Sequence, residues 1–442
     1  MYDLLIQNGT IVTVNSEFEI IENGFIAISG DRLERIQPID PSVPLPAARE
    51  SIDAAGGIIM PGLINTHTHL PMTLFRGLAD DLPLQEWLNQ HIFPAEARHI
   101  RPETVQAGTR LACAEMLLSG TTCCCDGYFY ENDVATAAAE LGMRAVLGQG
   151  VIDFPAPGVP DPSDNIKAAE RHINRWKNAS PLIVPSVFCH SPYTCSARTL
   201  KRAKALARDA GVLFQIHLAE TRAEVDQLRS EHQTSPVDYL NSLNLLDPDT
   251  LLVHAVWLSE HDIATIAGTR AAVSHNPESN MKLASGIAPV PALLARNVTI
   301  GLGTDGCASN NDLDLFLEMD TAAKLHKAST MDPTVVDARS VLKMATIDGA
   351  RAIGMADRTG SLEEGKQADV VVLDTRSPHL IPDYNPVSRI VYSARGSDVR
   401  DVVIAGQIRV RDRTILQTDL EQILREAREL ADSINPNEGA RR

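Results

Sequence analysis

Gly57-Ile-Ile-Met-Pro-Gly-Leu-Ile-Asn-Thr-His67-Thr-His69 is the stretch on which the fold turns. It is apolar, bounded by glycine and proline, and reads as a buried strand. Side chains at i and i+2 of a strand point to one side. His67 and His69 therefore leave the strand's C-terminal end together, as a metal ion requires. A lone His-x-His also arises on a solvated strand, so the surrounding chain has to decide between the two readings.

Beyond this stretch, strand and helix alternate over ~290 residues, the length of a (β/α)₈ barrel. Eight strand candidates end near His69, Asp126, Gln149, His190, His217, His254, His275 and Asp305, and the helical stretches include Thr104 to Leu118 and Arg198 to Ala210. Barrel enzymes place their chemistry at the C-terminal ends of strands, and here every strand end carries a polar residue. Leu213-Phe-Gln-Ile-His217 is a short apolar strand ending in histidine, and Glu220 three residues later sets an acid/base beside that ligand. Val298-Thr-Ile-Gly-Leu-Gly-Thr-Asp305 sets an aspartate at the mouth of the last strand. Imidazole nitrogens with one carboxylate suit a borderline ion such as zinc.

The flanks are β-rich. Leu4 to Val12 reads as a hairpin around Asn8-Gly9, and Phe25 to Asp31 as a strand and turn. The same texture returns in Ala368 to Leu373 and in Val402 to Ile408. The expected organisation is α/β: a TIM-like barrel over 58–358, with residues 1–57 and 359–442 building one small β-sandwich. Thr418-Asp-Leu-Glu421 reads as a capping box. It opens an amphipathic terminal helix with Leu420, Ile423, Leu424, Ala427 and Leu430 at helical spacing.

The chain has 442 residues, 44% of them hydrophobic, which suits one large domain plus a smaller unit. With 40 basic and 57 acidic residues the net charge is −17, a surface that repels phosphate backbones and anionic membranes. A free small molecule is the expected partner, not nucleic acid or a membrane; a homo-oligomer is left open. No run of 18 apolar residues spans a bilayer, and Met1-Tyr2-Asp3 lacks a signal peptide's positive start. The seven cysteines read as reduced thiols in a cytoplasm. Cys123-Cys124-Cys125 reads as small buried strand residues, without the Cys-x-x-Cys spacing of a zinc site.

Gly301-Leu-Gly303-Thr-Asp-Gly306 mimics a dinucleotide fingerprint, with Asp320 downstream. It fails on context. No helix follows the glycines directly, and Asp320 falls inside an amphipathic stretch, not at the end of a second strand. There is no phosphate-binding Gly-x-x-x-x-Gly-Lys loop, and the Pro-Cys-x-x-Cys of cytidine-type zinc deaminases is absent.

Pro61-Gly-Leu-Ile-Asn-Thr-His-Thr-His69, Gln215-Ile-His-Leu-Ala-Glu220-Thr, Val253-His254-Ala, Ser274-His-Asn-Pro-Glu-Ser-Asn280 and Gly303-Thr-Asp305-Gly306 together resemble the amidohydrolase superfamily. Within it they look like the methylthioadenosine/S-adenosylhomocysteine deaminase group, related to the triazine chlorohydrolases. Gly360 to Val372 is similar to that family's return into its β-sandwich, so the resemblance spans nearly the whole chain. It implies that His67, His69, His217 and Asp305 hold one Zn²⁺ per chain, with Fe²⁺ or Mn²⁺ also open. Some relatives hold two metals bridged by a modified lysine at the end of the fourth strand. Ile183 to Cys189 has no lysine, which favours one.

The resemblance further implies hydrolytic attack at C6 of an aminopurine. Glu220 would be the general acid/base, Asp305 a ligand that also takes a proton, and His254 a stabiliser of the tetrahedral centre. Glu96 matches a ribose-binding carboxylate and His190 a purine-contacting histidine; Glu220 and Asp305 face the substrate as well. Gln149 stands where relatives that accept S-adenosylhomocysteine carry arginine, and Asp153 to Pro160 offers no second arginine. The expected activity is deamination of 5′-methylthioadenosine and adenosine, with S-adenosylhomocysteine disfavoured. The alternatives are a triazine-type chlorohydrolase or aminohydrolase, and a guanine or other nucleobase deaminase.

Overall fold

In a computed structural model the eight strand candidates become eight parallel strands in sequential order: β1 (Leu63–Thr68), β2 (Thr121–Tyr128), β3 (Arg144–Val151), β4 (Ile183–Cys189), β5 (Phe214–Leu218), β6 (Thr250–His254), β7 (Ala272–His275) and β8 (Ile300–Leu302). The structure describes residues 1–435. Thr66 Oγ1 donates to the Leu302 carbonyl at 2.9 Å, and Asp305 N to the His67 carbonyl at 3.0 Å, so the last strand returns to the first. The result is a near-closed TIM-like barrel.

Residues in β1, β2, β3 and β5 are buried throughout, as strands with both faces covered must be. Helices follow in alternation, among them Pro102–Leu118 and Ala197–Ala210. The latter is N-capped by Ser196, whose hydroxyl accepts from Thr199 N, and closes on Gly211 in the left-handed conformation.

The chain divides into two compact units. One comprises Met1–Asn65, Ala114–Cys123 and Asp314–Thr418. It holds a nine-stranded mixed sheet made by both ends of the chain. Strand Ile58–Pro61 pairs in parallel with Tyr2–Val12 and antiparallel with Val370–Leu373, which stitches the N-terminal strands to the C-terminal ones. Period-two alternation sorts its side chains: Leu4, Ile6, Ile26 and Ile28 share one apolar cluster, and Leu5, Phe25 and Ala27 another. The second unit comprises Thr66–Cys113 and Cys124–Leu313, together with the described residues from Asp419 on. The terminal helix Leu420–Ile434 falls in it, and residues 436–442 of the expected C-terminal segment lie outside the described residues.

Several local expectations change. Gly57 to His69 is two strands: Ile58–Pro61 belongs to the mixed sheet, Leu63–Thr68 to the barrel, and Gly62 is the switch. A Cβ at Gly62 would overlap the Thr122 side chain, so only glycine lets the backbones approach here. Asn8-Gly9 is not a hairpin turn. Asn8 takes φ 61°, and the register shifts between Gln7 and Gly9, so Tyr2–Val12 runs through as one bulged strand. Val402 to Ile408 is a hairpin, with Val399–Ile404 and Gln407–Arg411 turning at Ala405-Gly406. The terminal helix is capped by Asp419, whose carboxylate accepts from Gln422 N, not by Thr418. Only Ile423 and Ala427 of its apolar stripe are buried. The Gly301-to-Gly306 segment runs into turns, and the next helix, Leu315–Thr330, contains Asp320.

Candidate metal centre and active site

Three strand ends converge in the second unit. His67 is the penultimate residue of β1, and His69 lies just past its end at φ −128°, ψ 77°. His217 lies near the end of β5, and Asp305 follows β8. The ligand nitrogens of the three histidines lie within 4.8 Å of one another. His67 Nε2 and His217 Nε2 are 3.2 Å apart, and Asp305 Oδ1 is 3.4 Å from both His67 Nε2 and His69 Nε2. Burial pushes the His67 ring down to about 3 and His217 well below its ordinary value, so both are neutral imidazoles with a lone pair to offer. Burial alone would raise Asp305, but the His67 hydrogen bond and the neighbouring rings hold its carboxyl well below the usual range. Three imidazoles and a carboxylate aimed at one point fit a divalent ion.

The scaffold fixes each ligand. His69 Nδ1–H donates to the Gly127 carbonyl at 2.7 Å, which leaves Nε2 to face the cluster. Gly127 has no side chain because Phe188 occupies that space, packed against the His67, His69 and His217 rings. Asp126 Oδ1 accepts from Thr68 Oγ1 and from Leu70 N, both at 2.7 Å, so one carboxylate brackets His69 on either side. Asp305 Oδ2 accepts from Ser279 and Ser309 hydroxyls at 2.7 and 2.9 Å. Ala219, His254 and Asp305 all take left-handed backbone, at φ 50°, 73° and 63°. Non-glycine residues adopt this only when the fold over-determines it. Each of these positions lies at, or within three residues past, the C-terminal end of a barrel strand.

Glu220 and His254 stand beside the cluster. Burial raises the Glu220 carboxyl; its Oε1 accepts from Ser285 Oγ at 3.2 Å, and its Oε2 lies 3.8 Å from His254 Nε2. Two amides attend His254 Nδ1: Asn280 Oδ1 at 3.0 Å and Asn276 Nδ2 at 3.3 Å. Ser274 Oγ donates to Asn276 Oδ1, which turns the amide nitrogen toward the ring. Asn276 Nδ2 can only donate, so its contact fits the tautomer with Nδ1 bare and the proton on Nε2.

These groups open into a cavity of about 370 Å³. Glu96, His190, Glu220, His254 and Asp305 all line it. Glu96 is buried, its carboxyl pushed up to about 7, and it accepts from Tyr128 OH at 2.5 Å. His190 holds Thr194 Oγ1 at 3.0 Å through Nδ1, and burial lowers it to about 4. Gln149 is not brought to the wall: its Oε1 accepts from Glu131 N at 3.3 Å. Among the described residues no arginine or lysine lines the cavity. Arg76 donates to the Asn311 carbonyl and to Cys307 Sγ, and Arg144 is fully buried. Leu84, Trp87, Ile92 and Phe93 are on the wall, Leu82 is not, and Phe154 meets Phe93 at 6.3 Å between ring centroids.

Sequence reading missed Tyr128, Glu224, Asn276, Ser279 and Ser309. Asn276 and Ser279 lie inside the quoted Ser274-to-Asn280 motif, which was the available signal. Glu224 is three residues past the helix cap Thr221, the spacing of a capping box. No local pattern marks Tyr128. Cys123 to Cys125 are buried in β2, as expected. No helix of the described residues is long and apolar enough to cross a membrane.

Residues 58–409 match the model of the amidohydrolase family. A protein of Syntrophobacter fumaroxidans named 5-methylthioadenosine/S-adenosylhomocysteine deaminase is 49% identical over 98% of this chain and 99% of its own. A 5′-deoxyadenosine deaminase of Methanosarcina mazei is 42% identical over 98% and 99%. A crystal structure of an adenosine deaminase from Xanthomonas campestris with bound zinc superposes with a TM-score of 0.96, at 39% identity over 98% and 99% of the two chains.

Proposed function

The chain belongs to the amidohydrolase family and is a hydrolytic aminohydrolase, and on that premise we propose that it deaminates adenosine-type nucleosides at a single metal ion, zinc, held by His67, His69, His217 and Asp305. The observation that carries this reading is the polarity of the cavity. Its lining brings His69, His217 and Asp305 together with Glu220 and His254, and adds Glu96 and His190, whose polar atoms suit a sugar hydroxyl and a purine edge. The relatives' names point to the same substrate class.

Bound there, the ion supplies the Lewis acidity that lets a water molecule ionise near neutral pH. The rest is done by the chain. Glu220 takes the proton released by the attacking water and hands it to the ring nitrogen beside C6 as aromaticity is lost. His254 donates Nε2–H to the oxygen that develops charge at C6. Asp305, set by Ser279 and Ser309, receives the second proton, which leaves with ammonia. Glu96 accepts from a ribose hydroxyl, and Trp87, Ile92, Phe93 and Phe154 enclose the 5′ side and exclude water. An apolar 5′ wall favours 5′-methylthio and 5′-deoxy groups as well as adenosine.

The test is ammonia release by zinc-loaded protein from adenosine, 5′-methylthioadenosine, 5′-deoxyadenosine and guanine, with chloride release measured for a chlorotriazine. Turnover of the three nucleosides is expected. Turnover of guanine or the triazine with none of the nucleosides would overturn the proposal.

A further inference from the structure

We propose that Glu224 is a positioning residue that sets the catalytic carboxylate of Glu220 through its backbone. Its two carboxylate oxygens are divided between neighbouring amides: Oε1 accepts from Ala219 N and Oε2 from Glu220 N, each at 2.8 Å. Leu218 and Ala219 form the link between His217, near the end of β5, and Glu220. The link turns at Ala219, held at φ 50° in the left-handed region that alanine rarely takes. Nothing in the local sequence favours that turn, so something outside it must hold it.

Glu224 has the geometry to do so. It is the third residue of helix Arg222–His232, and its own N–H is bonded to Thr221 Oγ1 at 3.3 Å, so the side chain is anchored at the helix start and reaches back. A capping-box glutamate ordinarily returns to the N-cap amide. Here it passes that amide and clamps the two before it. Glu224 is buried, and burial pushes its carboxyl up to about 7, against the pull of the two amide bonds. An ionisable group kept in so costly a place without a cation is satisfied by these N–H donors.

The clamp calls for two acceptors side by side. Glutamine has one, and in either orientation its NH₂ would face a backbone N–H. Glu224→Gln is therefore nearly isosteric yet breaks one bond. Aspartate keeps both oxygens on a shorter arm.

The inference rests on the proposed deaminase reading, and the experiment separates the two. Wild type, Glu224→Gln and Glu224→Asp are compared in their metal-loaded forms for kcat and KM on adenosine, metal content and melting temperature. Crystal structures of wild type and Glu224→Gln are compared at Ala219 and Glu220. If wild type fails on every nucleoside, the deaminase reading fails, and the crystal structures still decide the clamp. Expected for Glu224→Gln is a kcat lower by about 10- to 100-fold, the effect of displacing a reacting group by about an ångström. KM and metal content should hold, Glu224→Asp should recover part of the rate, and Glu220 should be displaced from His254. An unchanged Glu220 position in the variant, or loss of metal in parallel with rate, would overturn the proposal, the latter because Glu224 would then be acting through His217.

Discussion

Glu220 and His217 sit three residues apart and should fail differently. His217 offers a ring nitrogen 3.2 Å from that of His67, so His217→Ala should lose both bound metal and activity. Glu220 touches Ser285 and faces His254 at 3.8 Å without joining the cluster. Glu220→Gln should keep the metal and lose roughly 10²–10⁴ in kcat, the usual worth of a positioned acid/base. Elemental analysis beside kinetics separates the two; a Glu220→Gln protein that loses its metal and turns over normally once reloaded would make Glu220 a ligand. At this scale the sequence was informative where chemistry is dense. His67, His69, His217, Glu220 and Asp305 stand at strand ends in short motifs, and the structure brings them together. Tyr128 bonds a carboxylate distant in sequence, and Glu224 bonds two backbone amides. Such contacts depend on side-chain direction in three dimensions, which spacing does not encode.

Strands and helices show what periodicity carries and where it stops. The apolar runs gave all eight barrel strands to within a few residues, because strands buried on both faces must be continuously apolar. Turn chemistry was less legible. Asn8-Gly9 has the composition of a tight hairpin, yet pairing of Tyr2–Val12 with Ala48–Asp53 and Ile58–Pro61 keeps the strand extended and converts the turn into a bulge. Long-range ladders outweigh a two-residue preference. Gly62 is the converse case, a single residue that ends one sheet's strand and begins another's. Gly62 N bonds the Asp369 carbonyl and Leu63 N the Gly120 carbonyl at 3.1 and 3.0 Å, while Thr122 fills the space a Cβ would need. Gly62→Ala should therefore destabilise the protein by about 1–3 kcal/mol, as overpacking does. Urea unfolding followed by circular dichroism reads this directly, and an unshifted midpoint would mean that the Thr122 contact yields freely.

For the molecule as a whole, charge and cavity argue together about substrate. The surface carries a net charge of −17, and among the described residues the cavity wall holds no arginine or lysine. Two of its histidines add no charge, since burial keeps His190 and His217 neutral at ordinary pH. Arg76 and Arg144, the nearest alternatives in the sequence, are committed elsewhere: Arg76 to Asn311 and Cys307, Arg144 to the interior. Gln149 faces Glu131 N and not the cavity. A homocysteine tail brings a carboxylate that must shed water on entry, and a charged hydrogen bond to it would be worth about 1.5–3 kcal/mol. Without that bond, kcat/KM for S-adenosylhomocysteine should fall below that for 5′-methylthioadenosine by roughly ten- to a hundredfold. Both substrates share the purine and the ribose, so the ratio reports the 5′ end alone. Measured under one set of conditions, S-adenosylhomocysteine turned over as well as 5′-methylthioadenosine would require a cation to reach the cavity. Replacing Arg76 by alanine would then show whether that cation is Arg76 released from Asn311.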